Sequence, residues 1–175
     1  LMYGKEDILK ELPNQNHEFL NGKCPYTLNP GGPNHEELVS LIGIYEYFDN
    51  LYNHHFNDKD IEVLNKIKKI NELISDYESA LANPILDYIY NRKDLNLIGR
   101  NKIENKNRAP TISFTSKNIT SGELSNILVK NKIATRNDNF YAWRCLKYLG
   151  IDTNDGVIRI SMAHYNSKDD INNLI

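Results

Sequence analysis

A chain of 175 residues, 40% hydrophobic and 25% charged, is long enough to bury a core and has the composition of an ordinary globular protein. Its formal net charge of -2 and pI near 6.2 offer no broad attraction to phosphate backbones or acidic membranes, so nucleic acid is not an expected partner. The longest apolar runs, such as VSLIGIY at residues 39–45, fall far short of the ~20 residues that a membrane-spanning helix needs. The opening LMYGKEDILKELP lacks the basic n-region of a secretory peptide, and Cys24 and Cys145 make no disulfide framework, so no membrane partner and a reducing, cytoplasmic setting are the expectations.

Residues 14–33, rich in Asn, Gly and Pro, read as a long and mostly extended loop. Asn34 can cap a helix, with Glu37 as the return partner of a capping box, and Leu38, Leu41, Ile42, Tyr45, Phe48 and Leu51 then follow helical spacing to about Tyr52. A second helix starts near Asp60, with Leu64, Ile67, Ile70, Ile74, Tyr77 and Leu81 on one stripe; Pro84 should break or restart it before Asn91. LNLIG at 95–99 suits a short strand, and GRNKIENKNR, without an apolar period, a solvated loop.

From Ala109 strands and helices alternate compactly. APTISFTS gives a strand, Thr120 and Glu123 bracket a capping box for a helix to about Lys130, and KIATR gives another strand. Asp138 or Asn139 then caps a helix carrying Phe140, Trp143, Leu146 and Leu149, which Gly150 can close. The turn DTNDG leads into the strand GVIRISMAHYNS, and Ser167 with Asp170 starts a last helix. The boundary falls near residues 56–60. After it comes an α+β unit with a three- or four-stranded sheet and helices on one face; before it, a long loop and one amphipathic helix do not easily make a core alone.

Strand alternation places Arg159 with Val157, Ser161 and Ala163 on one face, and Ile158, Ile160, Met162 and His164 on the other. An Arg in such a run either reaches solvent at a sheet edge, pairs with a local carboxylate, or clamps an anion held in a cleft. NPGGPNHEE at 29–37 is either a plain turn or a phosphate-facing segment, since glycines allow close approach and a helix start presents open N–H groups. His54 and His55 are sequence neighbours that do not share a face, His35 with Glu36 lacks a second histidine four residues on, and His17 and His164 read as structural, so no metal site is expected. Cys145, beside Trp143 and Leu146, reads as a small core residue rather than a nucleophile, whereas Cys24 sits in a loop.

In chain order, LMYGKEDILKELPNQNHEF, NPGGPNHEELVSLIGIYEY, RAPTISFTS, NDNFYAWR and GVIRISMAHYNSKDDI together resemble the C-terminal part of class V aminotransferases. These are the fold-type I pyridoxal-phosphate enzymes that include cysteine desulfurases, and the resemblance runs through nearly the whole chain. It implies that residues 58–175 form the small C-terminal α+β domain, a short sheet with helices on one face. Residues 1–57 would be the tail end of the large cofactor domain, with its interface loop and helix.

The resemblance further implies that Arg159, ahead of Tyr165, Asn166 and Ser167, binds the α-carboxylate of a small amino-acid substrate. Gly31, Gly32, Pro33 and Asn34 look like the family's GTPN segment, which reaches the cofactor phosphate across a homodimer; Gly32 stands where the threonine would be, leaving backbone donation. The Schiff-base lysine would lie upstream of Leu1, since Lys5 does not match it. No catalytic residue is therefore expected within this stretch, and the isolated chain should neither bind pyridoxal phosphate tightly nor turn over an amino acid. The loop cysteine of the related desulfurases falls on Tyr141 or a neighbour, and neither Cys24 nor Cys145 matches it. The expectation is the C-terminal portion of an intact desulfurase-like enzyme. The alternative is a non-catalytic module that dimerises or binds a partner through residues 14–52.

Overall fold

The structure, a computed structural model, describes residues 3–24, 26–29, 31–58, 61–104 and 108–175. It divides into two compact units, Leu1–Ile61 and Glu62–Ile175.

In the first unit a short helix α1 (Glu6–Glu11), which the sequence pattern does not announce, precedes a loop closed on itself. The expected extended run is instead folded into two 3-10 turns, Glu18–Leu20 and Tyr26–Leu28. Asn16 ties them together, its Nδ2 donating to the carbonyls of Tyr26 (2.8 Å) and Asn29, while the Gln15 amide donates to Thr27 O at 2.7 Å. Helix α2 (His35–His55) begins where the sequence places it, with Asn34 Oδ1 accepting the Glu37 amide at 3.1 Å. It continues three residues past Tyr52. Among the described residues of this unit only Thr27 and Tyr52 are buried.

The second unit is built on α3 (Val63–Asn91), which runs unbroken through Pro84. The expected break near Pro84 does not occur, and the proposed start at Asp60 lies outside the described residues. Proline removes the bond to the Ala80 carbonyl, but Pro84 and Ala80 are both exposed, so that carbonyl can be satisfied by solvent. Leu81, Ala82, Ile85, Leu86 and Ile89 lie on the opposite side in the core and hold the two halves in line.

Strands β1 (Leu95–Ile98), β2 (Thr111–Ser116), β3 (Arg136–Asp138) and β4 (Val157–Ser161) form an antiparallel sheet in the order β1-β2-β4-β3. Ile112 opposes Ile160 and Phe114 opposes both Ile158 and Leu97, so these side chains share one face. Helix α3 packs there on β1 and β2, α4 (Ser121–Lys130) on β3 and β4, and α6 (Lys168–Leu174) on α3. Helices α3 and α4 lie on one sheet face, with α6 packed on α3.

Two differences from the sequence pattern concern the path between α4 and β4. KIATR does not form the strand: Lys132 takes φ 64° and the Ile133 amide donates back to Leu128 O at 2.9 Å, so these residues close α4 and the ladder starts only at Arg136. The helix expected from Asp138 or Asn139 is a shorter α5 (Trp143–Tyr148), because Asp138 is in β3 and Phe140 and Tyr141 have φ 52° and 60°. Gly150, φ 72°, closes α5 as expected, with its amide on Lys147 O.

Two of the three predicted capping boxes, Thr120 with Glu123 and Ser167 with Asp170, are formed, whereas at α2 Asn34 caps the Glu37 amide without the return bond from the Glu37 side chain. The Thr120 and Ser167 amides donate to the Glu123 and Asp170 carboxylates and hold both below the usual carboxylate range. A depressed folded value means that the stability they contribute is complete above the ordinary carboxylate range and is lost as pH falls through the lowered value. Glu123→Gln should therefore flatten the acid limb of a plot of thermal midpoint against pH; an unchanged limb would show that the box carries no such linkage. Gly156, φ 71°, turns the chain into β4, and a β-carbon there would come 2.3 Å from the Asp138 carbonyl carbon. Gly156→Ala should cost more than ~1 kcal/mol in urea denaturation and weaken the β3–β4 ladder.

Candidate functional site

The sheet face opposite α3 carries a row of residues in register across all four strands: Ile98, Ser113, Arg159 and Arg136. β4 is an inner strand, so the solvent-seeking edge position considered for Arg159 is not available. Arg159 is half-buried, its Nε is shielded from solvent and has no hydrogen-bond partner, and its Cζ lies 4.0 Å from the centroid of the Phe140 ring. Neither Arg159 nor Arg136 forms an ion pair among the described residues. A guanidinium so placed gains about 0.5–2 kcal/mol from the ring face, and its unanswered N–H is ready for an anionic acceptor.

Phe140 reaches this position through an Asx-type turn. Asn139 Oδ1 accepts the Tyr141 amide at 3.0 Å, Asn139 O accepts the Ala142 amide at 2.8 Å, and Asn139 Nδ2 reaches Thr153 O at 3.4 Å. That turn drives Phe140 into left-handed backbone and over Arg159 instead of into a helix. Helical spacing could not reveal it, although the turn-forming Asp138–Asn139 pair was visible in the sequence. Tyr141 is fully exposed, and Cys145 is exposed too, contrary to its reading as a core residue: α5 is short and only Leu146 is buried. Cys24 is half-buried in the first unit.

Gly31, Gly32 and Asn34 lie in the first unit and Arg159 in the second. Residues 31–37 are exposed, and a β-carbon at Gly31 or Gly32 would meet nothing within 4 Å. Neither glycine has a positive φ, so this chain does not itself demand glycine there. The Asn34 side chain is committed to capping, which leaves backbone N–H groups and the open first turn of α2 as donors. Glu36 and Glu37 in that turn add negative charge, so any phosphate would be held by main-chain amides alone.

The histidines are dispersed. His54 and His55 meet edge to face with ring centroids 4.8 Å apart, so the neighbours do make contact; His17 stacks on Phe19 at 5.3 Å, and His164 Nδ1 lies 4.0 Å from Glu78. Among the described residues no group of three or more His, Cys, Asp or Glu side chains could hold a metal ion. No described helix is long and apolar enough to cross a membrane.

A short antiparallel sheet with α3, α4 and α6 on one side defines an α+β domain, and Arg159 on the other side has no ion-pair partner among the described residues. Residues 58–174 match the Aminotransferase class-V family, and the chain belongs to it. This is a family of pyridoxal-phosphate enzymes. The aminotransferase-like protein FGM3 of Gibberella zeae is 22% identical over the whole of this chain, which spans 40% of that relative. The crystal structure of the cysteine desulfurase CsdA from Escherichia coli superposes with a TM-score of 0.60 at 20% identity, over 86% of this chain and 31% of that one. The chain thus has the fold of part of a fold-type I enzyme.

Phe140→Ala should uncover Arg159, speeding hydrogen exchange at its Nε and costing about 0.5–2 kcal/mol in urea denaturation, with Phe140→Tyr near wild type. Unaltered Nε exchange in Phe140→Ala would rule out the ring as the cover.

Proposed function

We propose that this chain is the C-terminal part of a pyridoxal-phosphate-dependent, cysteine-desulfurase-like enzyme acting on a small amino acid, with Arg159 as the anchor for the substrate α-carboxylate. The observation that carries this reading is the unanswered Nε of Arg159, on the sheet face opposite α3 and with no carboxylate within ion-pair reach among the described residues. Residues 1–57 are assigned to the end of the large cofactor domain and residues 58–175 to the small domain.

The planar fork of Arg159 can take both carboxylate oxygens, and the Phe140 ring fixes one side of the guanidinium. Immobilising the carboxylate in this way orients the amino acid before any bond breaks. Gly31, Gly32 and Asn34 supply main-chain N–H groups for the cofactor phosphate, which suits a pair of open glycines beside a helix start. When bound, pyridoxal phosphate supplies the electron sink for charge developing at the substrate α-carbon. The lysine that would hold it covalently is assigned to a part of the intact enzyme outside these 175 residues, and the chain alone is proposed to be inactive.

Homodimer formation is supported by α2, where Leu38, Ile42 and Tyr45 are exposed at helical spacing. Persulfide chemistry through the β3–α5 loop is not part of the proposal, because Tyr141 stands in the loop and Cys145 lies beyond it on α5.

In the full-length enzyme Arg159→Ala should raise KM for the amino acid about 10- to 100-fold, the loss of a charge-assisted pair, with a smaller change in kcat. Arg159→Lys should recover part of it. Unchanged KM in Arg159→Ala would reject the assignment.

A further inference from the structure

We propose that Arg136 is a specificity-determining residue that receives a second anionic group, so that the preferred substrate is an amino acid with a carboxylate on its side chain. The inference rests on the reading of Arg159 as the α-carboxylate anchor. Arg136 on β3 is the register partner of Arg159 on β4. Side chains directly opposite across antiparallel strands stand about 4.5–5.5 Å apart at Cβ, and like charges placed there destabilise the pair.

Nothing among the described residues relieves that repulsion. Neither guanidinium has an ion-pair partner. The acidic side chain closest in register, Asp138, is two residues along from Arg136, and its Oδ1 accepts the Asn139 amide at 2.6 Å. The two cations also differ in depth: Arg159 is half-buried under Phe140, whereas Arg136 is exposed at the outer strand. A monocarboxylate seated on Arg159 answers only the inner charge. A second carboxylate a few bonds away answers the outer one and removes the repulsion between them.

The pair is tested by NMR on the 175-residue chain at constant ionic strength, following the arginine Nε–Hε signals on titration with acetate, succinate and inorganic phosphate. Succinate should shift both Arg136 and Arg159 and bind at least about tenfold more tightly than acetate. Arg136→Gln should bring succinate close to acetate, and Arg136→Lys should keep part of the preference, each with a thermal midpoint near wild type. In the full-length holoenzyme Arg136→Gln should lower kcat/KM for aspartate relative to alanine by a similar factor.

Equal affinity for succinate and acetate, or an equal loss of both in Arg136→Gln, would overturn the role of Arg136 while shifts at Arg159 left its own reading in place. A preference for phosphate over succinate would overturn it as well. If no carboxylate shifts Arg159, the reading of that residue falls together with this one.

Discussion

Helix α3 lies along one side of the sheet, and the burial of its apolar stripe there constrains everything else in the second unit. Leu81, Ile85 and Ile89 meet Ile112, Phe114, Ile158 and Ile160 on that side, and Ile171 of α6 completes the cluster. Removing that much apolar surface from water is the main favourable contribution available to a unit of this size. Because α3, α4 and α6 share the same side, the alternate strand residues Ser113, Arg159 and Arg136 are directed to the opposite face, beside the buried Val157. Arg159 can stand in an inner strand only because its strand has one greasy face and one open one.

The open face is organised by short-range geometry around β3. Gly156 lets β4 start against Asp138, and Ser121 of α4 accepts from Asn137 Nδ2 at 3.2 Å while its own amide donates to Asp155 at 2.8 Å. These contacts hold a strand of only three residues in register, and with it Arg136 opposite Arg159. The turn that follows then aims Phe140 at the guanidinium. A half-buried cation is thus given an aromatic cover and, among the described residues, no carboxylate partner, the arrangement on which the proposed carboxylate anchor rests.

Membership of the aminotransferase class-V family and the fold shared with CsdA give this surface its context. The first unit, with Thr27 and Tyr52 as its buried described residues and a row of exposed apolar side chains on α2, has little core of its own. That is the condition expected of a segment whose packing is completed by other chain or by a second copy.

Patterns of three or four residues were legible in the sequence because the physics behind them is local. Both capping boxes, the Asn34 cap, the Gly150 closure and the alternation of β4 follow from neighbours within one turn or along one strand. The face on which Arg159 lies could also be read, though only the family resemblance suggested what it holds. The continuity of α3 through Pro84 depends instead on which side of the helix meets the sheet, which spacing alone does not weigh against a broken bond. The displacement of β3 from KIATR to Arg136–Asp138, the turn at Phe140 and the exposure of Cys145 all depend on pairing with residues far along the chain. By itself the sequence determined the caps, the main helices and inner strands, and the face of the guanidinium. Only the tertiary structure decided that Arg136 stands opposite it and Phe140 above it, because strand register and ring placement are set by contacts between segments that no local periodicity encodes.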